Sequence, residues 1–299
     1  MYKMYNYFRQ YNDNEEILDQ KNFYRKFSNE REFGGSYHGI DHLVNSRFFD
    51  TFGHIVNGVL RSKPKRMIDI GCGNGVNLPI SKLFPEIEYY AIDYALKTLH
   101  AAHHDYSKIN FQCNDAFQTS FKDKSFDFAI MQSLIMIYEK EEDHLALLKE
   151  VSRILADEGI LALVVWNESP GLKHSIKLSR FFGKLFGQKI PQDFNGMLFS
   201  KNDIKKIVSE SGMKIEEVVH TGINMGFLQS MQFLNFSKYN RKFGSAEKQS
   251  LSKHPQNILQ DIKNQAGRFN TLINFLYKIS RLHPQWFSMY SIYFIVKNH

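Results

Sequence analysis

An α/β fold built on a mostly parallel sheet is what this sequence predicts, and three observations carry that expectation. From residue 66 to residue 166, short apolar segments alternate with helix-patterned ones, and parallel strands need such crossovers between them. Residues 159–166 are apolar almost throughout, as a central strand covered on both faces must be. Third, Met67-Ile68-Asp69-Ile70-Gly71-Cys72-Gly73-Asn74-Gly75-Val76 reads as a buried strand ending in an acid, a glycine-rich turn and a helix start. That order aims backbone N–H groups and a helix N-terminus at a ligand. Glycine is needed there because a Cβ would collide where the chain turns sharply or approaches the ligand.

The elements follow in order. Residues 1–35 are rich in Tyr, Phe, Asn and charge, with a helix over 15–27, and glycines 34, 35 and 39 argue for a turn. Val44, Phe48, Phe52, Ile55 and Val59 recur at helical spacing, so a helix over 41–60 should dock on the sheet. Ser62-Lys63-Pro64-Lys65 ends it before the first strand, 66–70. A helix over 76–84 tolerates Pro79 only in its first turn. Then come a strand at 88–93, a helix at 95–104, strands at 109–115 and 126–132, a helix at 141–155 and the strand at 159–166. Ser200-Lys201-Asn202-Asp203 is a capping pattern that opens a helix to about residue 211. Gly212 stops it, a strand follows at 214–220, and residues 289–297 form a β-rich last strand. Residues 168–198 and 224–286 are too long for ordinary connections.

Composition excludes several classes. With 43% hydrophobic and 23% charged residues the chain is globular, not disordered. No apolar run approaches the roughly 20 residues that span a bilayer, and residues 1–10 lack a signal peptide's apolar core. Two cysteines, Cys72 and Cys113, make neither a disulfide framework nor a metal-ligand set. A cytoplasmic setting and no bound metal are the expectations. Charge is uneven: residues 1–167 hold 19 basic and 23 acidic side chains, residues 168–299 hold 19 and 8. The basic half either solvates surface helices or attracts an anionic acceptor, a membrane surface or RNA.

The glycine spacing separates two ligand classes. A dinucleotide fingerprint is G-x-G-x-x-G, whereas here Gly71, Gly73 and Gly75 leave Val76 where the third glycine would fall. An Asp two residues before G-C-G-N-G resembles motif I of the class I S-adenosylmethionine (SAM) methyltransferases. The resemblance runs from about residue 62 through the closing strand. Phe126-Asp127-Phe128-Ala129-Ile130-Met131-Gln132 is similar to motif IV, residues 147–159 to the helix and turn before the fifth strand, and residues 199–213 to the late helix and turn. It implies a Rossmann-like, seven-stranded, mostly parallel sheet with the last strand antiparallel, helices on both faces and helical cap additions. It divides the chain into an N-terminal cap or lid, 1–61, and a methyltransferase domain, 62–299, with cap insertions at about 168–198 and 224–286.

The resemblance also implies a cofactor, SAM, and its contacts. Asp69, Gly71, Cys72, Gly73, Asn74 and Gly75 form the loop. Asp93 would accept the ribose hydroxyls, with Tyr94 against the adenine. Asn114, Asp115, Ala116 and Phe117 would surround the adenine edge, and Gln132 ends the fourth strand beside the cofactor. Read without the family, Asp115 beside Asn114 also fits a plain Asx turn. Two positions depart from the pattern: Glu158 stands where a first glycine is common, and Ile137 where many relatives have a His. Met131-Gln132-Ser133-Leu134 replaces the N-P-P-[YF] signature of methyltransferases acting on amide or base nitrogens, which argues against nucleic-acid bases.

SAM is intrinsically activated, so the protein mainly aligns the acceptor behind the methyl group, and orientation of that kind supplies roughly 7–11 kcal/mol. A base is needed only where the nucleophile keeps its proton at neutral pH. Tyr37, His38 and Tyr138 are the catalytic candidates, with His42 and His144 behind them. The glycines around Tyr37 and His38 suit a closing lid, and histidine titrates near neutrality. The expected reaction is methyl transfer to O or N of a small-molecule acceptor, apolar or anionic. The alternatives are an RNA or protein acceptor and a regulatory module that binds SAM without turnover. Basic residues beside aromatics also fit peripheral membrane contact.

Overall fold

The computed structural model describes residues 41–73, 75–171, 174, 197–223 and 282–298. In chain order these form α1 (Asp41–Ser62), β1 (Arg66–Ile70), α2 (Ile80–Leu83), β2 (Glu88–Asp93), α3 (Leu96–Asp105), β3 (Asn110–Cys113), β4 (Phe126–Gln132), α4 (Glu141–Ile154), β5 (Leu155–Trp166), α5 (Lys201–Glu210), β6 (Met213–Ile223), α6 (Pro284–Phe287) and β7 (Ser288–Lys297). One seven-stranded sheet runs β3-β2-β1-β4-β5-β7-β6. The pairs from β3 to β5 are parallel. β7 lies antiparallel to both β5 and β6. This is the expected sheet, last strand included.

Alternation of side chains sends each strand's apolar residues to two cores. On one face, Leu147, Leu148 and Val151 of α4 and Ile204, Ile207 and Val208 of α5 close over Ile68, Met131, Leu163 and Tyr293. On the other, Ile55 and Val59 of α1, Ile80 of α2 and Leu99 of α3 cover Met67, Tyr89, Ile130 and Phe294. Gly58 lets α1 settle closely, since a Cβ there would sit 2.6 Å from the Phe294 ring. Higher on α1, the buried hydroxyls of Thr51 and Thr221 bond at 2.8 Å and tie the helix to β6. The capping pattern forms as read: Ser200 Oγ accepts from the Asp203 N–H, and Asp203 accepts from the Ser200 N–H.

Three elements differ from the sequence reading. The helix expected over 76–84 is only Ile80–Leu83. Residues 75–82 wind instead through i→i−3 bonds, from Leu78 N to Gly75 O, Ile80 N to Asn77 O and Lys82 N to Pro79 O, because Gly75 has left-handed backbone at φ +86°. β5 starts at Leu155, and the expected turn is a bulge: Leu155 pairs with Phe126 and Ile160 with Phe128. Gly159 is required inside it, since a Cβ would meet Ala156 backbone at 3.0 Å. Glu158 is exposed there, which accounts for its tolerance. β3 ends at Cys113, leaving Asn114 and Asp115 in the following turn.

Candidate functional site

The carboxyl ends of the parallel strands bring the sequence-predicted cofactor residues to one edge, where open α/β sheets bind their ligands. The loop after β1 is fastened to β2: the Gly71 and Cys72 N–H groups both donate to Ile92 O, at 2.8 and 2.9 Å. Gly71 and Gly73 have φ of +69° and +51°. A Cβ on Gly71 would press on Leu134 at 3.0 Å, whereas nothing lies within 4 Å of one on Gly73. Gly71 is thus glycine for packing, and Gly73 for its left-handed backbone beneath open space. Asn74 falls outside the described residues.

Asp93 ends β2 and holds the loop. Its Oδ2 accepts from the Gly73 N–H at 2.9 Å and its Oδ1 from the Ala95 N–H at 2.8 Å. Burial pushes its carboxyl above the usual range, and the bonds from Ala95 and Gly73 oppose that. A backbone bond from Tyr94 joins them, and since a carboxylate has about four acceptor positions, room remains for a ligand hydroxyl. Tyr94 follows it, 39% exposed. Asn114 donates from its backbone to Asp93 O at 3.1 Å and from its amide to Ser120 Oγ at 2.8 Å. Asp115 Oδ1 accepts from the Phe117 N–H at 3.0 Å, so the Asx-turn reading of this residue is realised. Ala116 and Phe117 are half-buried, and the Phe117 ring meets Tyr138 edge-on at 4.9 Å.

Beneath the loop, Asp69 is 1% exposed and Asn77 2%. Burial lifts the Asp69 carboxyl to about 7, a hydrogen bond from Asn77 pulls it down, and the charge of Asp93 raises it. Asp69 Oδ2 and Asn77 Oδ1 are both buried without a hydrogen-bond partner, and so is Gln132 Oε1 at the end of β4. Buried polar atoms seldom stay unpaired, so three orphaned acceptors beside the loop fit a site whose donors arrive with a ligand. Cys72 is buried with its thiol pushed well up, an inert filler of the loop.

The catalytic candidates do not assemble alike. Tyr138 is 7% exposed within the core. His144 is buried with its Nε2 at 2.8 Å from the Tyr138 carbonyl oxygen, and burial lowers its pKa. Tyr37 and His38 lie outside the described residues, as do the side chain of His42, most of 168–198 and most of 224–286. Sequence reasoning missed Asn77 and Ser133. Asn77 was detectable as a polar residue among apolar helix positions. Ser133 has φ +62° at the end of motif IV, where its N–H donates to Val164 O at 2.9 Å, and nothing in the sequence marks it.

A glycine loop after β1, an acid closing β2, and the 3-2-1-4-5-7-6 sheet together define the class I methyltransferase fold. The comparisons agree. Residues 68–163 match the family model described as a methyltransferase domain. Magnesium protoporphyrin IX methyltransferase from Synechocystis PCC 6803, with bound SAH, superposes with a TM-score of 0.53 at 18% identity, over 69% of this chain and 94% of that one. Phosphoethanolamine N-methyltransferase 2 from Haemonchus contortus, in complex with SAM, gives 0.51 at 16% identity, over 95% of this chain and 61% of that one. At such identities the likeness speaks for the fold. No curated sequence matched the chain. Residues 68–163 are thus a methyltransferase domain, set in the class I fold whose two related structures hold SAH or SAM.

Gly75→Ala tests the loop directly. A Cβ there would lie 2.6 Å from Leu78 Cδ1, on a residue with φ +86°, and Leu78 is fully buried with nowhere to retreat. Left-handed backbone alone costs a non-glycine residue about 1–2 kcal/mol. The variant should bind SAM at least about tenfold more weakly by calorimetry and unfold at lower temperature. Wild-type values for both would refute the loop's role.

Proposed function

We propose that this methyltransferase moves the methyl group of SAM to an oxygen or nitrogen of a small-molecule acceptor by in-line displacement. One observation carries the reading: at β4 the acceptor edge continues into Leu134, Ile135, Met136 and Tyr138, apolar side chains packed with Phe117, Trp166 and Met197. A polar signature for a base nitrogen is missing there. The two related structures are named for small acceptors, a porphyrin and phosphoethanolamine, which supports a small molecule without naming it.

SAM supplies the activated methyl group. The chain's own residues bind, orient and exclude water. Asp69, Gly71, Cys72, Gly73, Asn74 and Gly75 form the floor, and Asp93 with Tyr94 holds the nucleoside. Asn114, Asp115, Ala116 and Phe117 flank the base, and Gln132 faces the cofactor from β4. Residues 1–61, 168–198 and 224–286 form the cover, with His38, Tyr37 and Tyr138 as candidates for taking the acceptor's proton. Thr51 on α1 sits level with Thr221 at the carboxyl end of β6, so the ten residues of α1 before it extend toward the acceptor edge, which supports an N-terminal lid. A cytoplasmic enzyme is the setting proposed. Among the described residues no helix is long and apolar enough to cross a membrane.

A second reading, transfer to RNA or protein, is favoured by the excess of 19 basic over 8 acidic residues in 168–299. Methyl-labelled SAM incubated with the protein in a desalted extract, then split by size, decides between them. Label in the small-molecule fraction supports the proposal. Label confined to macromolecules establishes the second reading, and cofactor bound with no label transferred points to a regulatory SAM binder.

A further inference from the structure

Among the described residues, the floor of the cofactor loop is an acidic cluster with no cation of its own. Asp69 points from β1 to the face shared with α1 and α2. There the apolar side chains of Ile55, Val59, Leu78 and Ile80 pack around Tyr89, and Cys72 belongs to the same cluster. The groups acting electrostatically on Asp69 are Asn77 and Asp93, and the Cys72 thiol and Tyr89 phenol in turn feel Asp69. No lysine, arginine or histidine is among them. Asn77 supplies a donor, yet Asp69 Oδ2 and Asn77 Oδ1 remain two unpaired acceptors, each in a side chain at most 2% exposed.

Buried acceptors left unpaired need hydrogen-bond donors, because an unpaired buried polar atom is costly and a buried unpaired charge far more so. Without cofactor, a proton on Asp69 would supply one and cancel the charge. With cofactor present it is replaceable, because SAM and SAH both carry a cationic amino group that donates hydrogen bonds. The nearby Asp93 carboxylate resists a second negative charge until a cation arrives. The lift of Asp69 toward neutrality agrees with this geometry.

We propose that cofactor uptake is proton-linked at Asp69: the empty loop holds a neutral carboxyl, and ligand binding ionises it and releases the proton to solvent. The O–H bond of the carboxyl breaks, its electron pair stays on oxygen, and the buffer takes the proton. The inference rests on the loop being the SAM site. Its consequence is a cofactor affinity that rises with pH through neutrality.

The test is calorimetric titration of the wild-type protein with SAH at pH 6.5, in two buffers of different ionisation enthalpy. Most of one proton should be released. Affinity should be about tenfold weaker at pH 6 than at pH 8, as competition with a group titrating near 7 requires. A protonated-carboxyl infrared band of the free protein should vanish on adding SAH. Asp69→Asn, which keeps shape but cannot titrate, should release no proton and lose that band. Should the variant not fold, the wild-type proton count and band still decide. Tight binding with no proton released would overturn the linkage and leave the site intact. Absence of SAH binding at any pH would overturn the site assignment itself, and the linkage with it.

Discussion

Replacing Asp93 by alanine is expected to weaken SAM binding at least about 100-fold. The carboxylate stands at one place for two tasks. It accepts from the Gly73 and Ala95 N–H groups at 2.9 and 2.8 Å, and its remaining acceptor positions are those proposed for the ribose. Hydrogen bonds to a charged group are worth about 1.5–3 kcal/mol each, so losing one to a ligand together with one that holds the loop already exceeds a hundredfold. The loop also loses its clamp, since Gly73 is left-handed and held from this side chain. Asp93→Asn keeps one acceptor oxygen and should fall between. Calorimetry with SAM reads the effect, and an alanine variant within threefold of wild type would remove Asp93 from the site.

Glu150→Ala should produce the largest loss of stability, about 3 kcal/mol, because it strips partners from several buried groups together. Glu150 Oε1 accepts from the Thr119 N–H at 2.7 Å, from Thr119 Oγ1 at 2.6 Å and from Arg153 Nη2 at 2.6 Å, while Oε2 accepts from Arg153 Nε at 2.9 Å. Arg153 reaches on to the Phe121 carbonyl and Asp123. One carboxylate therefore pins the chain between β3 and β4 onto α4. Burial would raise its pKa, but the bonds from Arg153 and Thr119 outweigh that and hold it below the usual carboxylate range. A depressed carboxylate stabilises fully above its unfolded pKa, about 4.3. The gap between wild type and Glu150→Ala should thus be constant at neutral pH and narrow as pH falls below about 4. Denaturant titration at pH 7 and pH 3.5 checks it, and a gap that widens in acid would contradict the pairing.

The sheet was readable because its signals are local and strong. Residues 159–166 are apolar in a row, and Ser200 with Asp203 writes a cap that forms as spelled. The short helix after the glycine loop was overestimated. Apolar periodicity over 76–84 does not report that Gly75 is left-handed and that the chain winds by three residues. The bulge at 156–159 likewise depends on pairing with β4, which no local pattern carries. In the site, acids at strand ends and spaced glycines announced themselves. Asn77 did not, because its meaning comes from the buried carboxyl beside it. Ser133 did not either, since only the pairing of its N–H with Val164 O sets its backbone angle.

The position of β7 has a consequence for how the protein is made. Residues 288–297 come last in the described chain, yet they lie between β5 and β6 and bond to both. While a ribosome still shields that segment, β6 has no paired strand among the described residues, and the edge of β5 at Leu161, Leu163 and Val165 is bare. Unpaired edges of this kind are where nascent chains stick to one another. Until residues 288–297 have emerged, the sheet should therefore stay split between β5 and β6 and depend on chaperones. Insertion of β7 closes that gap.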